Sequence, residues 1–247
     1  MTASPETMRQ VWITRHGPPE VLEVREAVAP EPGDNEVLIK VAAAGVNFAD
    51  IMARLGLYPD APKPPCVVGY EVAGEVTALG PSATGFAAGN KVIALTRFGG
   101  YSSHVSVRQE QVFALPTGLD FAQSAALPVT YLTAYQLVIG MGRLRAGETI
   151  LVHSAAGGVG LSAIDLAQVV GAHVIGVASV AKHDAWRSIL ARQLQLPRSD
   201  RAPCRFWPRD RGGRQSMARN GARTSRRAMA PLQSALANER QPRCLRR

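Results

Sequence analysis

The sequence predicts an α/β protein with a β-rich domain first, a parallel sheet behind it and a basic tail at the end. Three observations carry this. The first 115 residues break into short β-branched and apolar runs separated by Gly and Pro, the texture of many short strands. Thr149 to Ala167 then reads as strand, glycine turn and helix, and His173–Ala178 as a second strand, which together make a βαβ unit. Finally, the charge is segregated. The net +9 hides 13 basic against 16 acidic residues in 1–190, and 15 Arg with no Lys against 3 acids in 191–247, or −3 and +12.

Composition narrows the class. An apolar share of 46% suits a globular core. No run approaches the ~18 apolar residues of a membrane span. Met1–Gln10 has no apolar signal core, so a cytoplasmic protein is expected, with residues 1–7 as a disordered extension ahead of Met8. Cys66, Cys204 and Cys244 have neither the spacing of a disulfide framework nor that of a structural zinc site.

In chain order, Val11–Thr14 and Leu22–Val24 read as strands around His16-Gly17-Pro18-Pro19, and Pro30–Asn35 as a loop. Glu36–Val41 is apolar at 37, 39 and 41, so it is a half-buried strand continued by Ala42–Gly45. Asp50–Leu55 is a helical turn ended by Gly56. Val67–Gly80 reads as one long strand with glycines at bends. Lys91–Leu95 and Tyr101–Val107 are strands joined through Gly99-Gly100. This pattern predicts a barrel-like first domain over residues 8–127. Beyond Pro116, Asp120–Ala126 and Thr130–Ile139 read as helices, the first capped by Asp120.

The βαβ stretch carries the chemistry. Ile150–Val152 runs directly into Ala155-x-Gly157-x-x-Gly160, the dinucleotide fingerprint with alanine in its first glycine slot. A small residue at 155 permits the sharp turn. Gly157 admits a pyrophosphate to the backbone, and Gly160 lets the helix pack closely on the strand. The helix N-terminus then offers free N–H groups and a partial positive charge. Ala155, Ala156, Gly157, Gly158, Val159 and Gly160 are therefore the candidate phosphate cradle. The alternative is a glycine-rich packing turn. Gly171 is the candidate C-cap of the helix.

Four segments, in order, resemble the zinc-free quinone oxidoreductase branch of the medium-chain dehydrogenase/reductase superfamily, with the VAT-1-like and zeta-crystallin-like groups nearest. They are Gly45–Pro59, Gly69–Val76, Pro128–Tyr135 and Ala155–Gly160. The resemblance covers residues 8–187. It implies a GroES-like β-barrel over 8–127, then an incomplete Rossmann-type NADP-binding domain over 128–190. It places Asn47 and Tyr58 in the substrate cleft beside the nicotinamide, Asn47 also as a cofactor-binding residue and Tyr58 as a possible proton donor, and Thr130 at the carboxamide end of the cofactor. It also implies a homodimer. The alternative for Tyr58 is a loop aromatic covering the first domain; Tyr70 and Glu71 read as packing residues, and Asp50 with Arg54 as a helical ion pair.

Zinc alcohol dehydrogenases carry cysteine where this chain has Asn47 and histidine where it has Tyr70, so no metal is expected. Without a Lewis acid, reduction of a quinone or enone fits better than alcohol oxidation. The second strand ends Val177-Ala178-Ser179-Val180 without the acid that holds an NAD ribose, and Lys182 lies just beyond. Ser179 and Lys182 suit a 2′-phosphate, so NADP(H) is the expected cofactor. The alternative for Lys182 is a solvated surface residue.

Arg192–Arg247 lacks apolar periodicity, and no strand is expected there. A disordered Arg-rich tail is the reading, and such text also fits an out-of-frame translation beginning near residues 188–192. A half-sheet would then leave an exposed parallel edge and impair both activity and the family's dimer edge. Two rival functions stand beside the reductase: a non-catalytic nucleotide-binding or interaction protein, and nucleic-acid binding through the tail, which lacks a recognisable nucleic-acid motif.

Overall fold

The computed structural model describes residues 7–182 and the backbone of two strands at 203–209 and 218–221. The chain divides into two compact units, Met1–Val129 and Thr130–Arg247.

The first unit is built on strands. β1 (Thr7–Ile13) and β2 (Leu22–Val28) form an antiparallel hairpin, longer than the sequence pattern suggested because the ladder continues through polar residues. β3 (Glu36–Ala44), β4 (Glu71–Leu79), β5 (Lys91–Leu95), β6 (His104–Arg108) and β7 (Val112–Ala114) form an antiparallel sheet in the order β6-β3-β4-β5-β7. In β3 Val37 and Ile39 are fully buried and Lys40 is exposed, as the pattern predicts, but Leu38 on the opposite face is buried too and Val41 is only half-buried. They pack with Val72, Val76, Val92 and Ala94 into one core. The sheet is open among the described residues, because β6 and β7 pair with β3 and β5 but not with each other.

The long strand expected over Val67–Gly80 starts only at Glu71. Gly69 has φ +104°, and a Cβ there would lie 2.8 Å from the Tyr101 backbone nitrogen. The chain bends at this point and crosses close to another segment, so no ladder forms before residue 71. α1 (Phe48–Arg54) and α2 (Phe121–Ala125) complete the unit. Asp120 caps α2 as expected: Gln123 N–H donates to Oδ1 at 2.7 Å, and the Gln123 side chain accepts from Asp120 N–H at 3.1 Å. Ala125 then packs with Ala73 and Ile93.

α3 (Pro128–Tyr135) continues as a π-helical segment, Gln136–Met141, and leads into the second unit. There β8 (Thr149–His153), α4 (Gly158–Val170) and β9 (His173–Ser179) form the expected βαβ unit, with β8 parallel to β9. α4 ends at Gly171 in the left-handed conformation, φ +86°. Ile164, Leu166 and Ala167 pack against Val152 and Val174.

Two strands occur where none was expected. β10 (Pro203–Arg209) pairs parallel to β9, and β11 (Ala218–Gly221) pairs antiparallel to β10, giving the order β11-β10-β9-β8. A parallel edge presents a row of backbone donors and acceptors that any extended segment satisfies, with or without apolar periodicity. Among the described residues the edge strands of this sheet are therefore β8 and β11, and β9 is paired on both sides. The rest of the basic tail, the proposed change of frame near 188–192 and the extension at 1–6 lie outside the described residues.

Candidate functional site

In the second unit the turn between β8 and α4 is tied down from three sides. Ala155 N–H donates to Val177 O at 3.0 Å, joining the turn to the end of β9. Gly157 N–H donates to Ser154 O at 2.8 Å. A Cβ on Gly160 would lie 2.4 Å from that same Ser154 oxygen, so only glycine lets the helix approach this closely. Ser154 itself takes φ +53°, a left-handed conformation that costs a non-glycine residue energy.

Beside the turn lies a cleft of about 210 Å³ lined by Ser154, Ala156, Gly157, Ala178, Ser179 and Lys182, among others. It contains an exposed ammonium and the hydroxyls of Ser154 and Ser179, and among the described residues no carboxylate lines it. The start of α4 supplies backbone N–H groups without intrahelical partners. The structure thus brings Ser179 and Lys182 to the same cleft as the glycine turn. Thr130, on α3, does not line this cleft; it packs against the first turn of α4, its methyl group 2.9 Å from where a Cβ on Gly158 would stand. Ala155 is fully buried and shapes the turn rather than lining the cleft, and Val159 packs on the core. A nicotinamide dinucleotide fits these residues, with N–H groups at the start of α4 free of intrahelical partners and available to phosphate oxygens.

α4 carries a feature the sequence did not reveal. Asp165 is buried, and Tyr131 donates its hydroxyl to Asp165 Oδ2 at 2.5 Å. Burial pushes the Asp165 carboxyl up to about 6, against the lowering effect of the Tyr131 hydrogen bond. Burial and the adjoining carboxylate push the Tyr131 hydroxyl up as well.

In the first unit, Asn47 is the N-cap of α1 and Asp50 its N3 residue, a capping box. Asn47 N–H donates to Asp50 Oδ2 at 2.8 Å, and the Tyr101 hydroxyl donates to the same oxygen at 2.8 Å. Burial raises the Asp50 pKa, opposed by these donors and by Gly69 N–H. Asp50 and Arg54 therefore have other hydrogen-bond partners than each other. Asp50 turns inward, and the Arg54 guanidinium donates to Gly17 O. Asn-x-x-Asp spacing ahead of a helix was the available signal for the box.

Asn47 and Tyr58 are each held by one of two consecutive residues. Asn47 Nδ2 donates to Glu71 Oε1 at 2.8 Å. Tyr58 meets Tyr70 edge to face, with ring centroids 6.1 Å apart and planes at 77°. Tyr58 is half-buried and packs against the cluster of Ile13, Val21, Ala53, Cys66 and Val68. Burial first, and then the neighbouring Tyr58 and Asp50, push the Tyr70 pKa up. Among the described residues no group of three or more His, Cys, Asp or Glu side chains is arranged to hold a metal ion. No described helix is long and apolar enough to cross a membrane.

Comparison with known proteins follows the same two-part division. Residues 33–117 match the alcohol dehydrogenase GroES-like domain family. The chain is 43% identical over 164 residues to the rat synaptic vesicle membrane protein VAT-1 homolog, covering 66% of this chain and 41% of that protein. It is 41% identical over 180 residues to human quinone oxidoreductase, covering 72% of this chain and 55% of the relative. The structure of Escherichia coli quinone oxidoreductase complexed with NADPH superimposes with a TM-score of 0.67 at 32% identity, over 76% of this chain and 61% of that one. The chain spans about half the length of the curated relatives it matches. A GroES-like first domain followed by a parallel βαβ sheet, with this sequence similarity running through both, places the chain in the medium-chain dehydrogenase/reductase superfamily, among the relatives of VAT-1 and quinone oxidoreductase.

Proposed function

We propose that the chain is an NADPH-dependent oxidoreductase of the cytoplasm that reduces a quinone or enone by hydride transfer without zinc. The observation that carries the reading is the cleft at the β8–α4 turn, where Ser179 and Lys182 line the same cleft as Gly157 and, among the described residues, no carboxylate stands to repel a 2′-phosphate. The similarity to quinone oxidoreductases supports the reaction class. NADPH, when bound, supplies the hydride. This chain's residues bind and orient it: N–H groups at the start of α4 take phosphate oxygens, Lys182 and Ser179 take the 2′-phosphate, and Thr130 lies against the first turn of α4 at Gly158. Asn47 and Tyr58 are the residues assigned to the acceptor, with Tyr58 as proton donor. At the position of a zinc-ligating histidine stands Tyr70, half-buried, its ring against Tyr58 and Phe98.

A second reading is nucleotide binding without turnover. Fluorescence titration with NADPH and NADH, followed by NADPH oxidation with 1,4-benzoquinone, separates the two. Tight NADPH binding with quinone-dependent oxidation is expected. Binding without oxidation would favour the second reading, and preference for NADH would remove the cofactor assignment.

A further inference from the structure

Among the described residues Glu71 is the most deeply buried acid of the first unit, 1% exposed, and no basic side chain there hydrogen-bonds to it. Its carboxylate is instead held by two N–H donors of different kinds. Val129 backbone N–H donates to Oε2 at 2.8 Å, and Asn47 Nδ2 donates to Oε1 at 2.8 Å. Gly45 makes room for it: a Cβ there would lie 2.2 Å from Oε1 and 2.5 Å from Cδ, while Gly45 N–H donates to Glu71 O at 3.1 Å. Each of these contacts restrains the carboxylate, and the backbone donor at Val129 cannot be inverted.

The consequence falls on Asn47. A carboxamide has two flip states, with nitrogen and oxygen exchanged, and only the partners decide between them. An ionised carboxylate accepts and never donates, so Nδ2 faces Glu71. The capping box brings the other end of the carboxamide towards the Asp50 N–H, which favours the oxygen on that side, while that N–H donates its hydrogen bond to Asn47 O at 3.1 Å, so Glu71 carries the choice. Both ends agree on one state. One Nδ2 hydrogen then remains uncommitted, and that hydrogen is what Asn47 offers a bound molecule.

We propose that Glu71 is a positioning residue: with Gly45 and Val129 it locks the Asn47 carboxamide so that Asn47 acts toward the bound acceptor as a hydrogen-bond donor through its second Nδ2 hydrogen. This rests on the oxidoreductase reading for its catalytic consequence, but the lock itself can be tested apart from turnover. In Glu71→Gln the amide oxygen must serve Val129 N–H, so the new NH2 group faces Asn47 Nδ2. The mismatch persists if Asn47 flips, because its NH2 then meets the Asp50 N–H. Combining Glu71→Gln with Asn47→Asp restores both the bridge and the cap and removes the Nδ2 donor.

The experiment uses the full chain in three forms: wild type, Glu71→Gln, and the double variant. Each is followed by thermal melting, by NADPH oxidation with 1,4-benzoquinone, and by the side-chain amide signals of 15N-Asn-labelled protein. The Asn47 pair is identified by its absence in the double variant. Glu71→Gln is expected to shift that pair, lower kcat by about tenfold or more, the loss of one hydrogen bond in the transition state, and leave the NADPH Kd unchanged. The double variant is expected to recover the melting temperature but not kcat. Recovery of both would make Glu71 merely structural and overturn the proposal, as would an Asn47 pair unmoved by Glu71→Gln. If wild type itself fails to oxidise NADPH, the reductase reading falls, while the amide signals still decide whether the lock exists.

Discussion

Tyr131 donates its hydroxyl to Asp165 Oδ2 at 2.5 Å inside the second unit, joining α3 to α4 through a buried carboxylate. The folded carboxyl is raised to about 6 from an ordinary 3.8, chiefly by burial. A raised carboxyl means that the folded state holds the proton more tightly than the unfolded chain. Its stabilising contribution is complete below pH 3.8 and is lost as pH rises through 6, on the order of 3 kcal/mol across the window. Asp165→Asn keeps an acceptor for Tyr131 and carries no charge. Melting temperatures are expected to favour the variant at pH 8 and to converge with wild type near pH 4. A wild-type advantage that grows with pH would refute the assignment.

Ser154 sits at φ +53° while its carbonyl accepts from Gly157 N–H. Glycine takes this conformation without penalty and keeps the carbonyl. Ser154→Gly is expected to raise stability by roughly 0.5–1 kcal/mol, read as a higher urea midpoint at unchanged slope. A lowered midpoint would show that the serine side chain outweighs the backbone strain.

Gly160→Ala should act in the opposite direction and more strongly. The added methyl would stand 2.4 Å from Ser154 O and 2.9 Å from Ala155 Cα, both backbone atoms with no rotamer to yield. Separation of α4 from β8 is expected, with loss of NADPH binding measured by fluorescence and a cost on the order of 1–3 kcal/mol in urea. Near-native binding would mean that the turn relaxes more freely than its hydrogen bonds imply.

Lys182 is exposed at the mouth of the cleft, so its effect belongs to cofactor choice and not to folding. Lys182→Glu should weaken NADPH roughly tenfold or more and leave NADH little changed, with the loss shrinking at high salt. Equal weakening of both cofactors would place Lys182 away from the 2′-phosphate.

Asp120→Ala removes one half of a reciprocal cap at α2. A loss of about 1 kcal/mol is expected from urea unfolding of the first unit. Its effect on NADPH affinity should be negligible, since the cap lies in the first unit and the glycine turn in the second.

What was legible in the sequence is what neighbouring residues decide among themselves. Ile150–Gly160 spelled strand, turn and helix because the turn's small residues lie within six positions of one another. Asp120 and Gln123 form their cap across three residues, and Gly171 ends α4 where the helical pattern stops. Even the extent of β5, Lys91–Leu95, followed from its own side chains and the turns beside it.

The pairings that give the site its chemistry lie beyond that range. Asn47 and Glu71 are 24 residues apart, Tyr131 and Asp165 34, and Asp50 and Tyr101 51. Read locally, Asp50 belonged with Arg54 on a helix face and Glu71 with its strand. The tertiary structure turned both carboxylates inward, where burial raises their pKa values and buried N–H and O–H donors become their partners. It also placed β10 beside β9 through backbone hydrogen bonds that leave no trace in side-chain periodicity. By itself, then, the sequence determined the two-part fold and the phosphate turn, because propensity and turn chemistry act over a few residues. Only the tertiary structure decided which buried donor meets which acceptor, because a lone polar group taken out of water must find its partner wherever the fold brings one.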